Sequence, residues 1–343
     1  MQADFVSVVI CTRNRGDEIV LALKTLLVNE YPAFEVIVVD QSSDDRTAQA
    51  VAPFRNDARL RYLSTSSRGS NTGRQLACDI ARGEFILITD DDCEVPRDWI
   101  ATMAGQLQAD VALACVFCEV VAAPFDASKG FVPVTGALVE TTICDLYAWC
   151  TSGAGRVMAA GLGLRRSLLQ EIGGFDVVMG ASERFRSTAD ADLPLRALVH
   201  GYRVQLTQRT RVVHHGFRSY EQGRKLMRGY LMGLGAVYAK LIRCGHWQLL
   251  LVAGFELWRT VIGPLISNLI RLRRPPVLGR ALGFSRGFAL GLQTPIDHAR
   301  EVFLPNGIPY AVSTLPLRPA FTALRLCRQR CADRRCRARA SAL

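Results

Sequence analysis

Three consecutive carboxylates, Asp90, Asp91 and Asp92, end the apolar run Phe85-Ile86-Leu87-Ile88-Thr89 and precede Cys93, Glu94, Val95 and Pro96. Carboxylates crowded at the end of a buried strand repel one another unless a cation sits among them. The chemistry this pattern suits is the capture of a divalent ion that itself carries a diphosphate. Asp90 and Asp92 share one side of an extended chain and Asp91 points to the other. The Asp-x-Asp pair is therefore expected to hold donor and metal, with Asp91 beside them in a mainly structural role. Three more polar stations follow apolar runs. The loop Thr12-Arg13-Asn14-Arg15 can hydrogen-bond a base or ribose. Asp40 stands directly after Val36-Ile37-Val38-Val39 and can accept from a nucleobase imide or a ribose, or cap the next turn. Arg68 to Arg74 carries two glycines and two arginines into a helix N-terminus, a setting for a diphosphate.

The elements that must position these groups alternate. Strands are predicted at Phe5–Cys11, Phe34–Asp40, Leu60–Leu63 and Glu84–Thr89. Helices are predicted from about Glu18 to Asn29, from near Arg46, and over Ser70–Ala81. This β-α-β-α order predicts a parallel sheet with helices on both faces, and ligands bind at the C-terminal edge of such sheets. A helix from Pro96, a strand over Val111–Val120, helices at Ser167–Ile172 and Ala191–His200, and a strand near Arg203–Leu206 continue the pattern. The absence of a Walker spacing disfavours nucleotide hydrolysis, and the absence of G-x-G-x-x-G after the first strand argues against a dinucleotide-binding dehydrogenase.

A chain of 343 residues with 49% hydrophobic content can bury a sizeable core. Its net charge of +11 is uneven: residues 1–220 carry 22 Lys and Arg against 26 Asp and Glu, and residues 221–343 carry 20 against 5. The basic excess, without any nucleic-acid-binding signature, suggests an anionic membrane surface and excludes nucleic acid as the expected partner. The eleven cysteines are scattered, many in apolar runs, as reduced small hydrophobes would be. With no leader before the first strand, the N-terminal part is expected in the cytoplasm. Trp247–Ile270 is long and apolar enough to span a bilayer. Glu256 and Arg259 near its middle would cost roughly 2.5–3.5 kcal/mol each, and Pro264 interrupts it. An interfacial helix or broken hairpin is the expectation, with Arg271, Arg273 and Arg274 at the headgroups and a disordered Arg-rich tail beyond.

Six blocks in order resemble family 2 glycosyltransferases: VSVVICTRNRGDEI (6–19), FEVIVVDQSSDDRT (34–47), NTGRQLACDIARGEFILITDDDCEVP (71–96), RRSLLQEIGGFD (165–176), ADADLPLRALVHGYRV (189–204) and RVVHHG (211–216). The resemblance implies an α/β fold of GT-A type, a Rossmann-like nucleotide-diphospho-sugar transferase domain over residues 1–220, with a basic, mostly helical extension over 221–343. It implies an inverting transfer from a UDP-, GDP- or dTDP-sugar to a hydroxyl of a glycan or lipid-linked acceptor, dependent on Mg²⁺ or Mn²⁺. The expected setting is bacterial cell-envelope polysaccharide or glycolipid synthesis, at the inner face of the cytoplasmic membrane. By the same resemblance, Thr12, Arg13, Asn14, Arg15 and Asp40 line the nucleoside pocket, and Arg74 lies near the donor. Asp90 binds the donor, with Asp91 beside it on the donor side, and Asp92 with Asp90 holds the metal. Asp190 is the general base, Asp192 supports the acceptor side, and His214 or His215 is a diphosphate or metal contact. Glu183 is a further carboxylate within reach of that side. The chain departs from the family pattern at Ala189, where an acid is common, at Gln75, where asparagine is usual, and at Gly161. Rival readings are a sugar-1-phosphate nucleotidyltransferase and a non-catalytic sugar-nucleotide-binding module.

Overall fold

The computed structural model describes residues 4–152, 157–180, 185–186, 189–270 and 278–305. In the first third of the chain β1 (Val6–Thr12), α1 (Gly16–Leu27), β2 (Phe34–Asp40), α2 (Arg46–Val51), β3 (Leu60–Ser64), α3 (Ser70–Ile80) and β4 (Phe85–Asp90) alternate as expected. The apolar side chains of β1, β2 and β4 are buried on both faces, including Val6, Val8, Val9, Ile10, Val36, Ile37, Val38 and Leu87. That is why these strands read as continuous apolar runs rather than alternating ones. α1 turns Ile19, Ala22, Leu23 and Leu26 onto the sheet, with Asp17 and Glu18 in its first turn, where carboxylates complement the helix dipole.

Next come β5 (Cys93–Glu94), α4 (Trp99–Ala109), β6 (Leu113–Ala122), β7 (Gly130–Phe131), β8 (Thr141–Ile143), α5 (Leu146–Thr151), β9 (Leu162–Arg165), α6 (Arg166–Glu171), β10 (Met179–Gly180), β11 (Phe185–Arg186), α7 (Ala189–Val199) and β12 (Arg203–His214). The main sheet has the order β3-β2-β1-β4-β9-β6-β12-β5, with β8 also pairing β12. It is mixed, which corrects the expected all-parallel sheet. β9 runs antiparallel to both β4 and β6, and β5 antiparallel to β12. The helix expected from Pro96 begins at Trp99 instead. Cys93 and Glu94 extend to pair with β12, and Pro96 accepts the Trp99 N–H in the turn that follows.

The chain order reverses between β1 and β4, and register decides what meets there. Thr12 pairs with Asp40 and Cys11 with Asp90, so three of the polar stations share one C-terminal edge.

The remaining elements are β13 (Arg218–Ser219), α8 (Tyr220–Arg243), α9 (Leu249–Leu257), α10 (Gly263–Ile270), α11 (Leu278–Gln293) and the hairpin β14 (Ile296–Asp297)–β15 (Val302–Phe303). They belong to one compact unit with the sheet, Met1–Pro309. α8 starts with a capping box between Ser219 and Gln222. The predicted Trp247–Ile270 segment forms a continuous helix over Leu249–Ile270, because a π-turn at Trp258–Ile262 precedes Pro264 and accommodates it. Glu256 is buried and its carboxylate accepts from Arg259 at 2.8 Å, so the two charges answer each other. Arg271, Arg273, Arg274 and the Arg-rich tail lie outside the described residues.

α8 and α11 pack backbone to backbone. Glycines recur every fourth residue of α11, at 279, 283, 287 and 291. A Cβ on Gly287 would lie 1.8 Å from the Met232 carbonyl oxygen, and one on Gly235 would lie 2.3 Å from that of Phe284. Gly287→Val is expected to destabilise the protein by about 1–3 kcal/mol or more through overpacking. Gly105→Ala is the control: nothing lies within 4 Å of its Cβ in α4, and a gain of about 0.5–1 kcal/mol is expected. Urea denaturation of both variants measures this; equal effects would contradict the close crossing.

Candidate functional site

β4 and its turn present the three acids to different partners. Asp90 is the most open, with 36% of its side chain exposed, and lies 3.4 Å from Arg74. Asp91 and Asp92 are buried, and one guanidinium serves both: Arg15 Nη1 is 2.6 Å from Asp91 Oδ1 and 2.9 Å from Asp92 Oδ2. Burial pushes the Asp91 carboxyl up to about 6 against the pull of Arg15. Burial acts the same way on Asp92, but the His214 hydrogen bond and charge, with Arg15, outweigh it and bring that carboxyl down to about 2.

His214 sits on β12 opposite Cys93, and its Nε2 is 3.3 Å from Asp92 Oδ1. Its Nδ1–H donates to the Pro133 carbonyl at 2.8 Å, which orients the ring and aims Nε2 at the acids. Burial lowers its pKa, but the contact with Asp92 outweighs this and raises it overall. His215, one residue on, points away and meets Glu94 at 2.5 Å. Strand alternation thus places His214, and not His215, beside Asp92.

The donor set suits a divalent ion. Asp92, Cys93 and His214 offer ligand atoms all within 4.8 Å of one another. Asp92 Oδ2 is buried and receives no directed hydrogen bond. A Cβ at position 216 would lie 2.4 Å from His214 Nε2 and 2.8 Å from Asp92 Oδ2, so Gly216 keeps the space beside both atoms open. The Asp92 carboxylate suits Mg²⁺ or Mn²⁺, and the His214 imidazole adds a softer nitrogen donor beside it. The Cys93 thiol is pushed up by burial and by Asp90 and Asp92, so it stays protonated.

The first polar loop divides its labour. Arg13 and Asn14 are exposed and Thr12 is buried. Asn14 adopts φ +56° and its Oδ1 accepts from Ser43 N–H at 2.9 Å, clasping the loop after β2. Arg15, expected among the nucleoside contacts, is instead committed to Asp91 and Asp92. Asp40 is buried, accepting from Ser42 N–H at 2.8 Å and from the Tyr62 hydroxyl at 2.5 Å. Each oxygen keeps a second lone pair for a ligand.

Arg74, buried on α3, spans two elements: it lies 3.4 Å from Asp90 and 3.8 Å from Asp190 at the start of α7. Asp190 keeps 30% of its side chain exposed. Its surroundings nonetheless push its carboxyl up to about 6, through burial and the nearby Asp90, against the attraction of Arg74. A carboxylate so tuned can take a proton near neutral pH.

Asp192 does not face this cleft, which corrects its expected acceptor-side role. Two residues along α7, it turns into the core, 1% exposed, and its oxygens lie 2.7 Å from Lys240 Nζ and 2.7 Å from Arg196. Lys240, from α8, also lies 2.7 Å from Asp176. This buried network was not read from the sequence. The available signals were the i,i+4 spacing of Asp192 and Arg196 and one of only four lysines inside the apolar run of α8. Glu183 lies outside the described residues. Two departures from the family pattern have local reasons. The Gln75 Oε1 accepts from Phe175 N–H at 2.7 Å, and a Cβ at Gly161 would lie 2.8 Å from Cys118 Sγ.

A mixed sheet with a crevice at its strand reversal and an acid pair beside a buried arginine is the arrangement of a GT-A type fold. The fold is similar to that of the mannosyltransferase PcManGT from Pyrobaculum calidifontis, solved in complex with GDP-Man and Mn2+: TM-score 0.58, 22% identity, covering 84% of this chain and 76% of that one. Residues 7–128 match the model of Glycosyl transferase family 2. Among curated relatives, poly(ribitol-phosphate) beta-N-acetylglucosaminyltransferase TarS of Staphylococcus aureus is 35% identical over 103 residues, 29% of this chain. The succinoglycan biosynthesis protein ExoO of Rhizobium meliloti is 33% identical over 105 residues, 30% of each chain. The match spans only 18% of the TarS length. The family match ends before Asp190 and His214, whose placement rests on the geometry above.

Proposed function

We propose that the protein is an inverting glycosyltransferase that moves a sugar from a nucleoside diphosphate to a hydroxyl of a glycan or lipid-linked acceptor in cell-envelope synthesis. The observation that carries this reading is Arg74, which touches both the donor carboxylate Asp90 and the base Asp190. The Asp190 carboxylate takes the proton of the acceptor hydroxyl as its oxygen attacks the anomeric carbon. The bond to the diphosphate breaks in the same step, the leaving group keeps the electron pair, and the configuration inverts. Arg74 offsets the charge that develops on the leaving oxygens. Asp92 and His214 would hold Mg²⁺ or Mn²⁺, which supplies Lewis-acid charge to the diphosphate. His214 must give up its Nε2 proton to do so. Asp40 and the exposed Arg13 are assigned to the nucleoside.

A thermal-shift screen of UDP-, GDP- and dTDP-sugars with and without Mn²⁺ tests the reading. One donor class at 100 times its dissociation constant is expected to stabilise the protein by about 2.7 kcal/mol, in a manner that needs Mn²⁺ and is lost in Asp92→Ala. No stabilisation by any donor would refute it.

We further assign the Leu249–Ile270 helix to an anionic membrane surface on the cytoplasmic side. It is 22 residues long with mean hydropathy 1.6, and Leu251, Trp258, Leu269 and Ile270 are exposed beside the neighbouring Trp247. Glu256 is buried and paired with the exposed Arg259, and an apolar exposed side with a cation on it suits an interfacial helix at an anionic surface. Vesicles containing phosphatidylglycerol should carry the wild-type protein in flotation and release Leu251→Glu. A wild-type protein that stays unbound would remove the assignment.

A further inference from the structure

A second cluster of ligand-type side chains lies at the other end of α7, about 15 Å along the helix from Asp190. His200 follows the helix, His246 sits in the turn between α8 and α9, and Glu301 lies in the β14–β15 turn. The chain has five histidines, and two of them converge here on one carboxylate. His246 Nε2 is 2.6 Å from Glu301 Oε1, His200 Nε2 is 3.2 Å from Glu301 Oε2, and the three ligand atoms lie within 4.8 Å of one another. The two imidazole rings stand nearly perpendicular, at 77°.

A carboxylate bridging two imidazole N–H groups would account for part of this arrangement, but two features exceed it. Glu301 is 7% exposed, and its Oε2 receives no directed hydrogen bond although His200 stands beside it. Glu301 also adopts φ +56°, a conformation that L residues rarely take, and the tight turn that requires it aims a buried carboxylate at two rings. Two imidazoles and one carboxylate are a zinc donor set. Ligand atoms about 2.0–2.1 Å from a tetrahedral ion stand about 3.3 Å apart, close to the His200–Glu301 separation. His200 is 41% exposed on its side chain, so solvent reaches the cluster and can complete the coordination.

We propose that His200, His246 and Glu301 bind a zinc ion, with solvent as the fourth ligand, that clamps the β14–β15 hairpin to α7 and α8. The hairpin is already tied inward, since the Phe303 N–H donates to Asp176 Oδ2 at 2.9 Å and Lys240 lies over the Phe303 ring. Zinc at the turn holds this hairpin, and through Asp176 and Lys240 it steadies the helix that carries Asp190. This site is independent of the donor-side ion: its ligands come from other elements, and its two imidazoles suit zinc better than Mg²⁺.

The full-length protein, stripped with EDTA and dialysed, is melted with and without Zn²⁺, and Co²⁺ binding is followed by its visible absorption. Zinc is expected to raise the melting temperature by several degrees in the wild type and in the Asp92→Asn/His214→Asn double variant, and Co²⁺ to give tetrahedral bands in both. His200→Asn, at an exposed position that should leave folding intact, and Glu301→Gln are expected to lose the zinc shift. A wild type without any shift, a shift that survives in both His200→Asn and Glu301→Gln, or one lost only in the Asp92/His214 variant would each overturn the site.

Discussion

Asp190→Asn is expected to lower kcat by about 10²–10⁴-fold while the donor still stabilises the protein against melting. Asparagine keeps the size of the side chain and a hydrogen-bond acceptor near Arg74, but it cannot take the acceptor proton. The wild-type pH profile gives a second readout. A base works only when deprotonated, so with the Asp190 carboxyl pushed up to about 6 the rate should climb as pH rises through about 6 and level off above it. The residual rate of Asp190→Asn should lack that rise. Initial rates across pH 4.5–8.5 with saturating donor measure both effects. An Asp190→Asn enzyme within threefold of the wild type would remove the residue from the base role.

Lys240→Met is expected to be the most damaging substitution for stability. Lys240 is fully buried between two carboxylates, 2.7 Å from each. Removing one partner of a buried ion cluster leaves charge uncompensated and costs about 3–5 kcal/mol. Burial raises the Asp192 carboxyl, but Arg196 and Lys240 outweigh it and bring it below its ordinary value. Asp192 therefore contributes stability above its unfolded-state pKa and loses it as pH falls through its folded-state value. In Lys240→Met the stranded carboxylates can relieve themselves by taking up a proton. The deficit relative to wild type should accordingly be larger at pH 7 than at pH 4.5. Urea melts at the two pH values test this, and a deficit under 1 kcal/mol at pH 7 would refute it.

The N-terminal half of the sheet was legible because β1, β2 and β4 announce themselves as doubly buried apolar runs, each ending in a polar residue. The other half was not. β9 is four residues, Leu-Gly-Leu-Arg, too short to show a period, and its antiparallel insertion made the sheet mixed. β12 runs to His214, but only its first residues read as a strand, since Thr207 to Arg211 is polar and the register with β6 shifts between Thr207 and Arg211. Asp190 was singled out from its motif, and the fold brings it within 3.8 Å of Arg74. Asp192 was misread because a motif gives residue types, whereas the helical turn decides that one acid faces the cleft and the other the core. Lys240 and Arg15 reach partners 64 and 76 positions away, and no local pattern encodes such a meeting. The Gln75 contact is of the same kind, made across 100 residues.

The single guanidinium of Arg15 at Asp91 and Asp92 makes ligand entry an exchange rather than an addition. The acids are not bare charges: a tethered counter-ion occupies their flank, and a divalent ion held by Asp92 as proposed would have to displace it. That cation would stay on its loop, which Asn14 pins to the turn after β2. One short loop therefore joins the surroundings of Asp40 to the acids Asp91 and Asp92.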